Sequence, residues 1–225
     1  MTSVLESGFR DDLTEAHRAT IAAVGRAGAW WSGPERFAIA SEVRRAFEHA
    51  DVPPWQAPSS IDGMISEDHV LPAAAVDAIW RITNHPGTLT ADWYAGIVAQ
   101  LPTPEHYIEL VSVVAPMNAV DRFAAYLNLE PMPLPDPSGD PPSNETVSNN
   151  VTSHWVPTAD INGPNVRKAL TGSAGATEVY SALSEAQYVA GDALLGDLDW
   201  TRGTLDRRQI ELIAAKTSMM NDCFY

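Results

Sequence analysis

Cysteine is nearly missing from this chain: its 225 residues hold one, Cys223, so no disulfide can close within it. Cations are scarce as well. Fourteen Lys and Arg face 29 Asp and Glu, for a formal charge of −15. Nucleic acid needs clustered cations against its phosphates, and an anionic membrane surface needs the same, so neither is expected as a partner. No stretch approaches the roughly 18 apolar residues of a membrane-spanning helix. Met1 to Arg10 lack the basic region and apolar run of a secretory signal. A cytoplasmic protein is therefore expected, with the glycosylation sequons at Asn144 and Asn150 unused. Alternation at period two, the mark of a half-buried strand, is also missing.

What is present is a hydrophobic fraction of 45% over 225 residues, enough to bury a core in one large or two small domains. One compositional break divides the chain. Residues 130–151 read EPMPLPDPSGDPPSNETVSNNV, where proline fixes φ, removes donors and favours an extended linker. The expected layout is an N-terminal helical domain over 1–129, a linker over 130–151 and a C-terminal block over 152–225.

Apolar spacing predicts helices over 11–27, 35–50, 72–83, 90–100 and from Thr103 onward, with a kink at Pro116. Ser32 or Gly33 caps the second, with Pro34 in its first turn, and Thr90 caps the fourth. After the linker, helices are expected over 166–174 and 176–195, the latter interrupted near Gly191. A last helix starts near Thr204, with Ile210, Ile213, Ala214 and Thr217 on one face. The fold class is all-α.

Several features carry no chemistry on this reading. His17, His49, His69, His85, His106 and His154 show no metal-ligand spacing and are expected to be structural or exposed. The seven tryptophans, Trp30 and Trp31 among them, are core or interface anchors. Thr171 to Gly175 is not a phosphate loop, since no Gly-Lys-Ser follows a strand. No metal and no cofactor are expected.

The end of the chain is different. In LDRRQIELIAAKTSMMNDCFY, eleven residues separate Glu211 from Cys223. This segment resembles the catalytic stretch of the AhpD-like alkylhydroperoxidase (carboxymuconolactone decarboxylase) family, whose pattern is Glu, eleven residues, Cys-x-x-Cys and a His four residues later. Trp155 to Leu170, Tyr180 to Val189 and His106 to Leu129 are also similar to that family's longer members. By the same resemblance 1–129 is a first copy of the helical unit. Glu35 to Ala40 then stands where its catalytic helix belongs and Glu48 to Ala50 near the place of its missing thiol.

The resemblance implies peroxide reduction. A thiolate attacks the O–O bond, so one thiol needs a lowered pKa; a helix N-terminus, capped here by Asp222, favours the anion. A second thiol turns the sulfenic acid into a disulfide, which an external dithiol or thioredoxin-like protein reduces. In the family the second Cys attacks. Carried over, Cys223 is the resolving thiol, Glu211 belongs to the proton relay, and the attacking position follows Tyr225. The 225-residue chain is accordingly expected to lack turnover. Selenocysteine, whose codon is also a stop signal, is expected at that next position. The substrate is then a hydroperoxide and the protein a homo-oligomer. The final helix is expected to lack support, leaving Ile210, Ile213 and Met220 partly exposed or packed against the N-terminal block as a substitute. Two other readings stay open: a decarboxylase-like lyase without redox thiols, and a non-catalytic helical oligomerisation module.

Overall fold

Helical spacing in the sequence becomes helix in the molecule almost throughout. The computed structural model describes residues 8–149, 154–159, 163–190, 193, 196 and 198–220. Among these, eight α-helices run in the order α1 Asp11–Val24, α2 Gly33–Glu48, α3 Ala73–Asn84, α4 Ala91–Val98, α5 Pro104–Tyr126, α6 Asn165–Lys168, α7 Glu178–Gln187 and α8 Arg207–Met220. The all-α expectation holds, with one addition. A two-residue antiparallel hairpin, β1 Thr201–Arg202 with β2 Leu205–Asp206, precedes α8. It turns at Gly203, whose φ of +58° favours glycine.

The starts of the helices follow their caps. Ser32 opens α2 by accepting the Glu35 backbone N–H, while the Glu35 carboxylate accepts the Ser32 N–H, and Pro34 sits in the first turn. Thr90 caps α4 through the Trp93 N–H. The helix α5 continues through Pro116 to Tyr126. Some stops differ from the spacing. The first helix ends at Val24 rather than Ala27, because the next residues are used differently: the Gly25 carbonyl accepts the Ser138 N–H at 2.7 Å. The helix expected over 166–174 is a single turn, and that over 176–195 stops at Gln187.

The core lies where α2, α3 and α5 meet. Ile39, Val43, Ile79, Leu110, Val114 and Met117 are sealed there, each large aliphatic side chain contributing about 1.5–3 kcal/mol. Ala40, Ala46, Ala75 and Ala78 are equally buried and let α2 and α3 approach closely. From the C-terminal block, α7 lies on α1 and α5.

Residues 130–149 have no helix or strand run, but they are not a free spacer. They form a strap across the α1–α2 turn. Besides Ser138, the N–H groups of Ser143 and Asn144 donate to the carbonyls of Gly28 and Ala29 at 3.0 and 2.8 Å. Met132 is buried, and its carbonyl accepts from Arg44 at 2.7 Å.

Candidate functional site

The hairpin and α8 position the one predicted site residue that can be described, Glu211. Asp206 and Gln209 cap each other: the Asp206 carboxylate accepts the Gln209 N–H and the Gln209 side chain accepts the Asp206 N–H, both at 2.9 Å. This reciprocal box fixes the first turn of α8. Glu211 follows in the second turn. Its Oε1 accepts from Arg207 Nε at 2.6 Å and its Oε2 from the Tyr188 hydroxyl at 2.5 Å. Arg207 is buried and also donates to the Ala193 carbonyl at 2.8 Å. Tyr188 sits where α7 ends, its backbone turned out of the helix. Arg202 holds that end by donating to the carbonyls of Tyr188 and Glu185 at 3.1 and 2.6 Å. A small apolar cluster of Val189, Ala193 and Ile210, flanked by Trp200, backs the site.

The electrostatics follow from these bonds. The hydrogen bond from Tyr188 is the largest influence on Glu211 and, with Arg207, holds its carboxyl below the usual range against a smaller opposing effect of burial. Burial first, and then the neighbouring Glu211 carboxylate, push the Tyr188 phenol up to about 12. At neutral pH the pair is thus a carboxylate accepting from a protonated phenol. A carboxyl held low is a fixed anion that takes a proton only transiently, unlike a general base whose pKa lies near the working pH.

Cys223 and Asp222 lie outside the described residues. Eight residues of α8 lie between Glu211 and Met220, so nine helical steps carry the chain about 13.5 Å along the axis. Tyr188 and Arg207 were not found from the sequence. Arg207 carried a signal, being four residues before Glu211 on one helix face. Tyr188, 23 residues away and placed by the end of α7, carried none.

The remaining predicted positions are structural. Glu35 is consumed by its cap. Its neighbour Arg36 pairs at 2.7 Å with Glu109, which is 1% exposed and also accepts the Trp30 N–H at 2.7 Å. His49 lies exposed against the face of Trp80. His69 donates to the buried Glu42 at 3.0 Å while its Nδ1 accepts the Leu71 N–H, so neither ring nitrogen is free to act as a base. His85 bonds the Val52 carbonyl and His106 the Thr103 hydroxyl. No group of three His, Cys, Asp or Glu side chains among the described residues could hold a metal ion, and none of their helices is long and apolar enough to cross a membrane.

No family model, curated protein or solved structure matches the chain.

Proposed function

We propose that this protein takes part in thiol- or selenol-dependent reduction of hydroperoxides, with Glu211 in the proton relay and Cys223 as the resolving thiol. The observation that carries the reading is the double anchoring of Glu211 by Tyr188 and Arg207, with eleven residues between Glu211 and Cys223 in the pattern that resembles AhpD-like alkylhydroperoxidases. In the proposed cycle the attacking thiolate or selenolate, three residues past Cys223, takes the distal oxygen of the hydroperoxide. One proton reaches the leaving alkoxide and an alcohol departs. The Cys223 thiol then condenses with the sulfenic or selenenic acid, releasing water and leaving an S–S or Se–S bond. An external dithiol or thioredoxin-like protein restores both groups. Glu211 and Tyr188 would pass the proton between the leaving oxygen and solvent.

The test is a chain continued past Tyr225 with Cys at the next position and His four residues beyond it. With cumene hydroperoxide and dithiothreitol it should turn over, the 225-residue chain should not, and Glu211→Gln in the active form should slow turnover with the fold intact. Turnover by the 225-residue chain would show that the thiol roles are wrongly assigned. A continued chain that folds but never forms the Cys223 disulfide with peroxide would end the peroxidase reading.

One observation favours a second reading, a helical module that joins copies of the chain. Leu212, Ile213, Met219 and Met220 on α8 are all exposed.

A further inference from the structure

Clefts in this molecule differ in whether their polar groups are already spent. In the cleft between residues 53–58 and α3, those of Asp77, Arg81 and His85 are, while the buried Asn84 Oδ1 has no partner. Asp77 holds Ser59, Arg81 holds Thr88 and the Pro54 carbonyl, and His85 holds the Val52 carbonyl. Where α1, α2 and α5 meet the start of α7, the cavity is floored by Arg36 and Glu109, which neutralise each other. A third cavity, of about 410 Å3, is of another kind. It opens between the first turns of α5 and residues 154–156, Asn165 and Ala169, and none of its described residues belongs to the Glu211 cluster.

Its walls are largely apolar: Ile108, Val111, Val156 and the half-exposed indole of Trp155. Among the described residues three polar side chains reach its lining, Tyr107, His154 and Asn165. Tyr107 is buried, with its ring edge-on to Tyr94 at 5.0 Å. Among the described residues none of these three side chains makes a hydrogen bond, and the Tyr107 hydroxyl is not among the sealed polar atoms that lack one. Burial pushes the phenol pKa up, so it stays a protonated donor at any working pH. A concave apolar site of a few hundred Å3 with a few convergent polar groups has the build of a small-molecule site. Among the described residues of the lining the polar groups are a phenol, an amide and an imidazole, with no carboxylate and no guanidinium. Such a set suits an oxygen function without charge.

We propose that this cavity binds an uncharged small molecule with an aromatic or branched aliphatic body and one hydroxyl or carbonyl oxygen, the body on Ile108, Val111 and Trp155 and the oxygen on Tyr107 and Asn165. The proposal stands apart from the peroxidase reading and survives if that reading fails.

The test compares 2-phenylpropan-2-ol with isopropylbenzene, the same body without the oxygen, followed by the Ile108 δ-methyl signal in NMR of the full chain. Saturable shifts are expected at millimolar or lower alcohol, with the hydrocarbon about three- to tenfold weaker, the worth of one hydrogen bond. Tyr107→Phe, which removes a hydroxyl bonded to no protein group, should fold normally and erase most of that preference. Val111→Trp should fill the cavity and abolish the Ile108 shift. No saturable shift in the unmodified chain, equal binding of alcohol and hydrocarbon, or an unchanged preference in Tyr107→Phe would each overturn the proposal.

Discussion

Gln187 reaches from α7 to His17 on α1, its amide nitrogen 2.9 Å from His17 Nε2. His17 is fully buried, set edge-on against Phe123 at 4.9 Å, and its Nδ1 has no partner. A ring that accepts at Nε2 must be neutral, and burial lowers its pKa. The folded state therefore binds fewer protons than the unfolded one. Stability is full above the ordinary histidine pKa of about 6.5 and falls as pH drops below it. Glu42 works in the same direction at lower pH. Burial would raise its pKa, but hydrogen bonds from Trp80, Arg45 and His69 outweigh that and lower it; its contribution is present above the ordinary carboxylate range and lost as pH falls through its depressed value. Urea midpoints taken from pH 7.5 to 5.5 should fall, and His17→Leu should flatten that slope. An unchanged slope would show that His17 is not the group that titrates. The Arg36–Glu109 pair gives a larger effect. Glu109→Leu leaves a guanidinium buried without its partner and should cost about 3–5 kcal/mol, read as a lower urea midpoint. Gly28 permits that pair, since a Cβ there would overlap the Glu109 carboxylate.

At the scale of elements, α5 and α8 stand at opposite ends. Buried residues recur along α5 from Tyr107 to Ala124, whereas on α8 only Arg207 and Ile210 are buried. Packing of an amphipathic face, not propensity, holds most protein helices together. Hydrogen exchange should therefore be far faster along 212–220 than in the middle of α5; equal protection would mean that the exposed face of α8 is covered in solution. A covered face would come from association, which Leu212→Glu with Ile213→Glu should abolish in sedimentation. The expectation of partial exposure holds for Ile213 and Met220 and not for Ile210, which turns into the cluster with Val189 and Ala193. Local rules made most elements readable. Ser32 with Glu35 and Thr90 with Trp93 could be placed from residue type and spacing. The hairpin could not, because two-residue strands are too short to show alternation. Glu211 was singled out by its spacing to Cys223. Its partner Tyr188 depended on where α7 stops, and a helix end set by tertiary bonds such as Arg202 to the Tyr188 carbonyl leaves no local mark.

For the whole molecule, the question left by the sequence is whether 130–149 separates two bodies or joins them. Pro, Gly and Ser in quantity describe a free linker and a docked strap equally well, since both are extended and poor in internal hydrogen bonds. What distinguishes them is the set of partners. Here Gly25, Gly28 and Ala29 offer carbonyls past the end of α1, and Ser138, Ser143 and Asn144 supply the N–H groups. Arg44 binds both Asp121, at 2.9 Å, and the Met132 carbonyl, so α2, α5 and the strap share one guanidinium. Past the strap, α7 closes over His17 on α1 and Asn149 bonds Glu105 and the Gly172 carbonyl. The two blocks are thus stitched along the strap as well as through α7. Substitutions in the strap of the full chain should act as core substitutions do. Met132→Ala removes a buried thioether and should lower stability by about 2–5 kcal/mol. Ser138→Pro deletes the N–H that the Gly25 carbonyl accepts and should cost about 1–3 kcal/mol. Neither change would be felt in a free linker, where surface substitutions stay within about 0.5 kcal/mol. Urea midpoints of both variants therefore decide the matter: values equal to the unmodified chain would mean that the strap is undocked in solution, and a drop in both would show the strap to be part of the folded unit.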